Sequence, residues 1–210
     1  MPTIDQARAW YPTNDPVHGF DHILRVYSLA TKLANSESAD LEIVKAAVLL
    51  HDASGGQAND QGRGQHQNLS ADFAQDILAA ESWPLERIGA VQHCIRSHRF
   101  RGTEQPKSLE AKIVFDADKL DVIGALGVAR TIGYAVEKGQ PIFAQPSQKF
   151  HDSAEKEAGE PHSAFHEYLF KLSKIKDRLH TPSAKEMAEE RQAFLVNFFE
   201  RMQAEAIGEA

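Results

Sequence analysis

The sequence predicts an all-α fold. In most of its long segments the apolar residues recur three and four positions apart, and they do not alternate as they would in half-buried strands. The chain has 210 residues, of which 42% are hydrophobic, and this is enough to bury one sizeable core. We therefore expect a single helical domain over residues 1–210.

Two helices are predicted in the first quarter of the chain. The first covers about 18–36, and one of its faces is formed by His22, Val26, Leu29, Ala30 and Leu33. His22 therefore points inward together with apolar side chains. The second covers about 40–51 and ends at the pair His51-Asp52. Four glycines among polar residues then predict a mobile loop over about 53–65.

Further helices are predicted over about 67–81 and about 85–98, the second of them behind Pro84. One long helix over about 108–137 would contain Asp118 well inside it. We expect irregular structure over about 139–162. Ser183 and Glu186 have the spacing of a capping box, which would open the last helix.

The pair His51-Asp52 directly follows an apolar stretch, Ile43 to Leu50. Burying an adjacent imidazole and carboxylate is unfavourable unless something binds them, and both groups are suitable ligands for a divalent cation. His22 and Asp118 also lie in apolar helical patterns. These four residues therefore form a candidate metal site. The alternative is that the histidines are satisfied core residues and the carboxylates are caps or surface groups.

A shell of two imidazoles and two carboxylates leaves positions open to water and to substrate oxygens. A cation held there would lower the pKa of a bound water, polarise a phosphoryl oxygen and orient a phosphate ester for in-line attack. The pattern therefore favours hydrolysis of a small phosphorylated substrate, with Asp52 in the catalytic set. The candidate cofactor is one divalent ion per chain, with Mn, Fe, Ni, Co, Zn and Mg as the candidates.

Three more histidines, His66, His93 and His98, lie close to this set in the sequence. Each of them is a candidate for a second metal site, for contact with a phosphate or for the general acid that protonates the leaving group. Exposure to solvent is the alternative for each. His93 and His98 are five positions apart, so they do not share one helix face cleanly.

Arg25, Lys119 and Asp121 are candidate substrate contacts, and Arg25 and Lys119 are also candidates for the catalytic set with Asp52. Arg25 lies one turn after His22, where its guanidinium can bind a phosphate, although an acidic neighbour is an alternative partner. Lys119 and Asp121 flank Asp118 and are candidates for neutralising phosphate charge and for accepting a ribose hydroxyl. On a regular helix Lys119 points about 100° away from Asp118, so exposure to solvent is its alternative.

Charge and composition exclude several classes of partner. Subtracting 30 acidic from 23 basic residues gives a net charge of −7, which disfavours nucleic acid polymers and anionic membranes. Cys94 is the only cysteine, so no internal disulfide forms. The first residues lack the pattern of a signal peptide, and no apolar run approaches the roughly 18 residues of a membrane span. A soluble, cytoplasmic protein is expected, and a homo-oligomer stays open.

Taken together, these motifs resemble the HD-domain metal-dependent phosphohydrolases, and within them the YedJ-like and YpgQ-like subgroup. The resemblance rests on five stretches, 21–26, 49–52, 95–100, 109–130 and 188–191. It implies an all-α HD-domain helical bundle, with a metal-binding core over about 18–137 and a C-terminal helical extension over about 161–206. It also implies that His22, His51, Asp52 and Asp118 are the metal ligands.

The resemblance further implies a nucleotide substrate. Relatives that hydrolyse the guanosine alarmone carry an acidic pair after the His-Asp dyad, where this chain has Ala53-Ser54-Gly55-Gly56-Gln57. The Gly-Tyr-Pro signature of cyclic dinucleotide phosphodiesterases is also absent. The YpgQ-like subgroup implies release of pyrophosphate from nucleoside triphosphates, while a nucleoside 5′-monophosphatase and a non-catalytic metal or nucleotide sensor are the alternatives.

Overall fold

A computed structural model gives the structure of the protein and describes residues 1–11, 19–53, 66–99, 102 and 104–210. Helices and no strands occur within these residues, which confirms the all-α prediction. The helices are α1 (Ile4–Arg8), α2 (Phe20–Glu37), α3 (Leu41–Leu50), α4 (His66–Ala80), α5 (Leu85–Ser97), α6 (Leu109–Leu120), α7 (Gly124–Glu137), α8 (Gln148–Ser153), α9 (Ala164–Phe170) and α10 (Pro182–Ile207). The glycine-rich loop predicted over 53–65 falls almost wholly outside the described residues. No helix in the described ranges has both the length and the apolar character of a membrane span.

The chain divides into two compact units. The first unit contains residues 1–118 and 179–184, and the second contains 119–178 and 185–210. The predicted single domain over 1–210 stays a prediction. In the first unit α3 packs against α2, α4 and α5, and the fully buried large side chains there include Ile23, Leu33, Leu49, Leu50, Leu78, Ile95 and Ile113. Helix α3 is therefore the centre of this unit.

The start of α3 is fixed by charges. The Oδ1 atom of Asp40 accepts hydrogen bonds from the N–H groups of Glu42 and Ile43, which are unpaired at a helix start. Arg87 of α5 donates to both carboxylate oxygens of Asp40. Together these bonds hold the pKa of Asp40 below its usual range, and the Arg87 side chain makes the largest contribution. The cap and the ion pair fix where α3 begins relative to α5.

The predicted long helix over 108–137 is wrong, because the chain breaks between α6 and α7. Gly124 has a φ of +75°, a left-handed conformation that a right-handed helix cannot continue through. A Cβ at Gly127 would lie 2.3 Å from the carbonyl oxygen of Val122, so the break also needs glycine there. Asp118 consequently lies near the C-terminal end of α6 rather than well inside a longer helix.

The predicted capping box at Ser183 and Glu186 is also wrong. Helix α10 begins at Pro182, so Ser183 lies inside the first turn. Its hydroxyl and its N–H donate to Oε1 of Glu37, at 2.7 and 2.9 Å. A carboxylate from the end of α2 thus binds this helix start in place of a local side chain.

Within 139–162, predicted to be irregular, the structure contains the short helix α8. The segment around it is ordered by one carboxylate in the second unit, that of Glu160. Its oxygens accept from the N–H and the hydroxyl of Ser147, from the N–H of Glu157 and from Nε2 of His166, at 2.6–2.9 Å. The imidazole of His166, followed by the Ser147 backbone, lowers the pKa of Glu160 from 4.5 to about 2.

The low pKa of Glu160 predicts how the stability of the protein changes at acid pH. A carboxylate with a depressed pKa contributes stability above its unfolded pKa and loses that contribution as the pH falls toward its folded pKa. We expect Glu160→Gln to lower the free energy of unfolding at pH 7, with the difference from wild type shrinking between pH 5 and pH 3. Urea unfolding across this pH range measures the difference in free energy of unfolding. Glu155→Gln is the control, because the Glu155 side chain is 69% exposed. An equal difference at pH 7 and pH 3 would contradict the prediction.

Candidate metal centre

Three elements of the first unit bring His22, His51 and Asp118 together. His22 is in the first turn of α2, His51 follows the last residue of α3, and Asp118 is near the end of α6. One ligand atom from each of them lies within 4.8 Å of the others. His22 Nε2 and Asp118 Oδ1 are 3.4 Å apart, and all three residues are buried. Three side chains that could hold a metal ion therefore converge where the sequence predicted a site.

The imidazole of His51 is oriented by the backbone. Its Nδ1 donates to the carbonyl oxygen of Val48 at 2.8 Å, one turn earlier in α3. The proton therefore resides on Nδ1, and the lone pair of Nε2 is available on the other side of the ring. That Nε2 atom is buried and has no hydrogen-bond partner among the described residues. A buried nitrogen lone pair without a partner fits a metal ligand.

Asp52 belongs to a second, overlapping group with His51 and His98, whose ligand atoms also lie within 4.8 Å of one another. Its Oδ1 is 3.6 Å from Nε2 of His98 and 3.5 Å from Nε2 of His66. Within the described part of the chain this Oδ1 is a buried acceptor that receives no hydrogen bond. Nδ1 of His98 donates to the carbonyl of Ile95. His98 therefore carries its proton on Nδ1, as His51 does.

The charge state of Asp52 is set by its neighbours. Burial is the largest single influence and would raise the pKa of this carboxyl, but the imidazoles of His51, His98 and His66 together outweigh it. The pKa of Asp52 consequently lies well below its usual range. An ionised carboxylate beside imidazole nitrogens is a donor set that suits a divalent cation. The residues present therefore fit such an ion.

A family model described as the HD domain matches residues 19–123, which include every member of both groups. The chain belongs to the HD domain family. Bacillus subtilis YpgQ is 32% identical to it over 212 aligned positions, which cover 97% of this chain and 94% of YpgQ. HD domains bind divalent metals, in keeping with the two groups of residues that could hold a metal ion.

Two solved structures extend this similarity to three dimensions. The structure of B. subtilis YpgQ in complex with ADP has 31% sequence identity and a TM-score of 0.74, covering 99% of this chain and 100% of YpgQ. A predicted HD-superfamily hydrolase from an uncultured Thermotogales bacterium has 28% identity and a TM-score of 0.65, covering 96% of this chain and 90% of its own. The chain therefore has the fold of an HD-superfamily hydrolase.

The candidate substrate contacts of this HD domain have partners within the protein. Nη1 of Arg25 donates to Oδ2 of Asp21 at 2.6 Å along α2, which is the acidic neighbour left open as an alternative. Lys119 is 6% exposed, so it does not face bulk solvent. Asp121 is buried in an ion pair with Arg130, at 2.6 Å. A role for any of the three with substrate stays a prediction.

His93 lies outside both groups. Its Nδ1 bonds Oε1 of Glu104 at 2.6 Å, and its Nε2 accepts from the N–H of Lys107 at 3.0 Å. Arg96 donates to the other oxygen of the same glutamate. His93 therefore connects α5 to Glu104 and Lys107, whereas His98, five positions further, belongs to one of the groups that could hold a metal ion.

Tyr11 is the residue at this site that the sequence did not indicate. Its hydroxyl donates to the carbonyl oxygen of Leu49 at 3.0 Å, across 38 positions of sequence. No motif or periodicity marks such a contact, because Tyr11 and the end of α3 are far apart in the sequence and meet only in the folded protein. It binds the helix end that carries His51 and Asp52.

Proposed function

We propose that the chain is a metal-dependent phosphohydrolase acting on nucleotides, and that it releases pyrophosphate from nucleoside triphosphates to leave the monophosphate. The observation that carries this proposal is a pair of buried atoms that have no hydrogen-bond partner in the described structure, Nε2 of His51 and Oδ1 of Asp52. A buried polar atom that forms no hydrogen bond destabilises the folded protein, and two such atoms belong to adjacent residues here. A divalent cation satisfies both.

The proposed ligands are His22, His51, Asp52 and Asp118. When bound, the cation supplies an activated water and neutralises charge on the phosphoryl group. His51 and His98 hold their protons on Nδ1 through the Val48 and Ile95 carbonyls, so neither ring needs to reorient. The protein therefore presents its donor atoms already in the required tautomer.

His66 is proposed to contact the substrate. Its side chain is 22% exposed, against 4% for His98, and its Nε2 lies 3.5 Å from Oδ1 of Asp52. An imidazole between a carboxylate and solvent can hold a proton and deliver it to a departing phosphate oxygen. His98 is proposed to lie beneath it, as a further donor around Asp52. A second cation would have to use these same histidines.

A nucleotide is the proposed substrate class. YpgQ, which resembles this chain over its full length, has been solved in complex with ADP. Arg25 lies one turn after His22 and is 27% exposed, so its guanidinium is proposed to bind phosphate alongside its pair with Asp21. Lys119 is proposed to add a second positive charge beside Asp118. Asp121 would reach a ribose hydroxyl only if its pair with Arg130 rearranged.

Products distinguish this reaction from its alternatives. We expect the full chain, assayed with Mn²⁺, Co²⁺, Ni²⁺, Zn²⁺ and Mg²⁺ in turn, to convert nucleoside triphosphates into monophosphate and pyrophosphate, as followed by ³¹P NMR. Orthophosphate released from nucleoside monophosphates would instead identify a 5′-monophosphatase. Metal binding without hydrolysis of any nucleotide would contradict the proposal and favour a non-catalytic sensor.

A further inference from the structure

The last turn of α3 ends in carbonyl groups that the helix itself cannot pair. Three of these carbonyls accept hydrogen bonds from three different donors. The Val48 carbonyl accepts from the His51 ring, the Leu50 carbonyl accepts from the N–H of Ala53, and the Leu49 carbonyl accepts from the hydroxyl of Tyr11. The Tyr11 hydroxyl is thus the partner that comes from a distant part of the sequence.

Tyr11 also contacts the start of α2. It is 7% exposed, and its ring packs against Phe20 with centroids 5.5 Å apart and planes tilted by 50°. Phe20 is the first residue of α2, two positions before His22, and the guanidinium of Arg8 lies 4.6 Å from the centroid of its ring. One tyrosine therefore contacts both the helix start that carries His22 and the helix end that carries His51 and Asp52.

The hydroxyl of Tyr11 is a neutral hydrogen-bond donor at neutral pH, as a phenol ordinarily is. The neutral phenol has one proton, which it gives to the Leu49 carbonyl, and its oxygen lies near the backbone of the proposed ligand Asp52. The hydrogen bond therefore links the turn between Leu49 and Asp52 to Tyr11, whose ring packs against Phe20.

We propose that Tyr11 is a positioning residue, whose hydroxyl holds the turn after α3 so that His51 and Asp52 direct their ligand atoms toward His22 and Asp118. This inference rests on the proposed metal site. A partner beyond the ligands themselves typically changes metal affinity or activity by about 10- to 100-fold. Tyr11 should act in that way without touching metal or substrate.

Titration calorimetry with Mn²⁺ on the metal-free full chain tests this inference. Tyr11→Phe keeps the ring against Phe20 and removes only the hydroxyl. Tyr168→Phe is the matched control, because Tyr168 is equally buried, at 6% exposure, and belongs to the second unit. We expect Tyr11→Phe to weaken Mn²⁺ binding by about 10-fold or more, with Tyr168→Phe binding like wild type. Thermal unfolding of both metal-free variants should show that each is fully folded at the temperature of the titration.

Each other outcome has a definite meaning. Equal Mn²⁺ affinity in Tyr11→Phe and wild type would overturn the positioning role, as would a loss of affinity matched by Tyr168→Phe. A wild-type chain that binds no Mn²⁺ would overturn both this inference and the proposed function. A chain that binds Mn²⁺ in a Tyr11-dependent manner and hydrolyses no nucleotide would leave the inference standing and remove the proposed function alone.

Discussion

His51→Ala and Asp52→Ala are expected to lose nearly all hydrolytic activity together with the bound metal. Each substitution removes one of the two proposed ligand atoms that are buried and have no hydrogen-bond partner within the described residues. Charge stabilisation by a metal site is worth several kcal/mol in the transition state, which corresponds to roughly a thousandfold or more in rate. Elemental analysis should find about one transition metal per wild-type chain and a large deficit in both variants.

A stability measurement provides an independent readout of the same loss. An ion that binds only the folded protein stabilises it by about 2.7 kcal/mol at a concentration 100 times its dissociation constant. Mn²⁺ should therefore raise the unfolding temperature of wild type and of the control His151→Ala, whose histidine is exposed on α8. It should do so far less in the two ligand variants. Normal folding with wild-type metal content in either of them would show that the ligand assignment is wrong.

Arg25→Ala should produce the next largest effect, with metal content unchanged. Loss of one positioned cation at a phosphoryl group costs on the order of 2 to 4 kcal/mol in transition-state stabilisation, or about 30- to 900-fold in kcat/KM. Asp21→Asn is the matched control, because it removes the charge of the observed partner and leaves the guanidinium in place. Equal losses in the two variants would show that the pair, rather than a phosphate contact, is what matters.

Lys119→Ala is expected to behave like Arg25→Ala, for the same electrostatic reason. Its burial removes the alternative of a solvated side chain, although its position one residue after Asp118 makes a second role available, as support for that ligand. Steady-state kinetics measured with metal content separates the two. A lower rate with full metal content supports the phosphate contact, lost metal points to support of the ligand, and an unchanged rate makes Lys119 structural.

The helices and the convergence of the site could be predicted because both depend on local patterns. His22 shares an apolar face with Val26 and Leu33, so the 3.6-residue period alone turns it inward. The features that the sequence did not predict depend on distant partners. The start of α10 is bound by Glu37, and the turn after α3 is bound by Tyr11. Such contacts become visible only when the helices are packed.

The wrong prediction of one long helix over 108–137 has a different cause. Periodicity continues through Asp121 to Ile123, so a pattern of apolar residues cannot distinguish one long helix from two. What decides is the left-handed backbone at Gly124 and the ion pair that Asp121 makes with Arg130. The sequence contains the glycine, but an isolated glycine within a helical pattern is tolerated often enough to carry little weight.

The sharing of His51 between the two ligand groups has a consequence for how many ions the protein can hold. A neutral imidazole with its proton on Nδ1 has one remaining lone pair, on Nε2, so it serves one cation at a time. The proposed ion uses His22 and Asp118 of one group and Asp52 of the other together with this nitrogen, so His98 is the member of the two groups that it leaves over. Any second equivalent of metal meets an incomplete set of donors and must bind more weakly than the first. We therefore expect the protein to bind one cation tightly and any second cation more weakly.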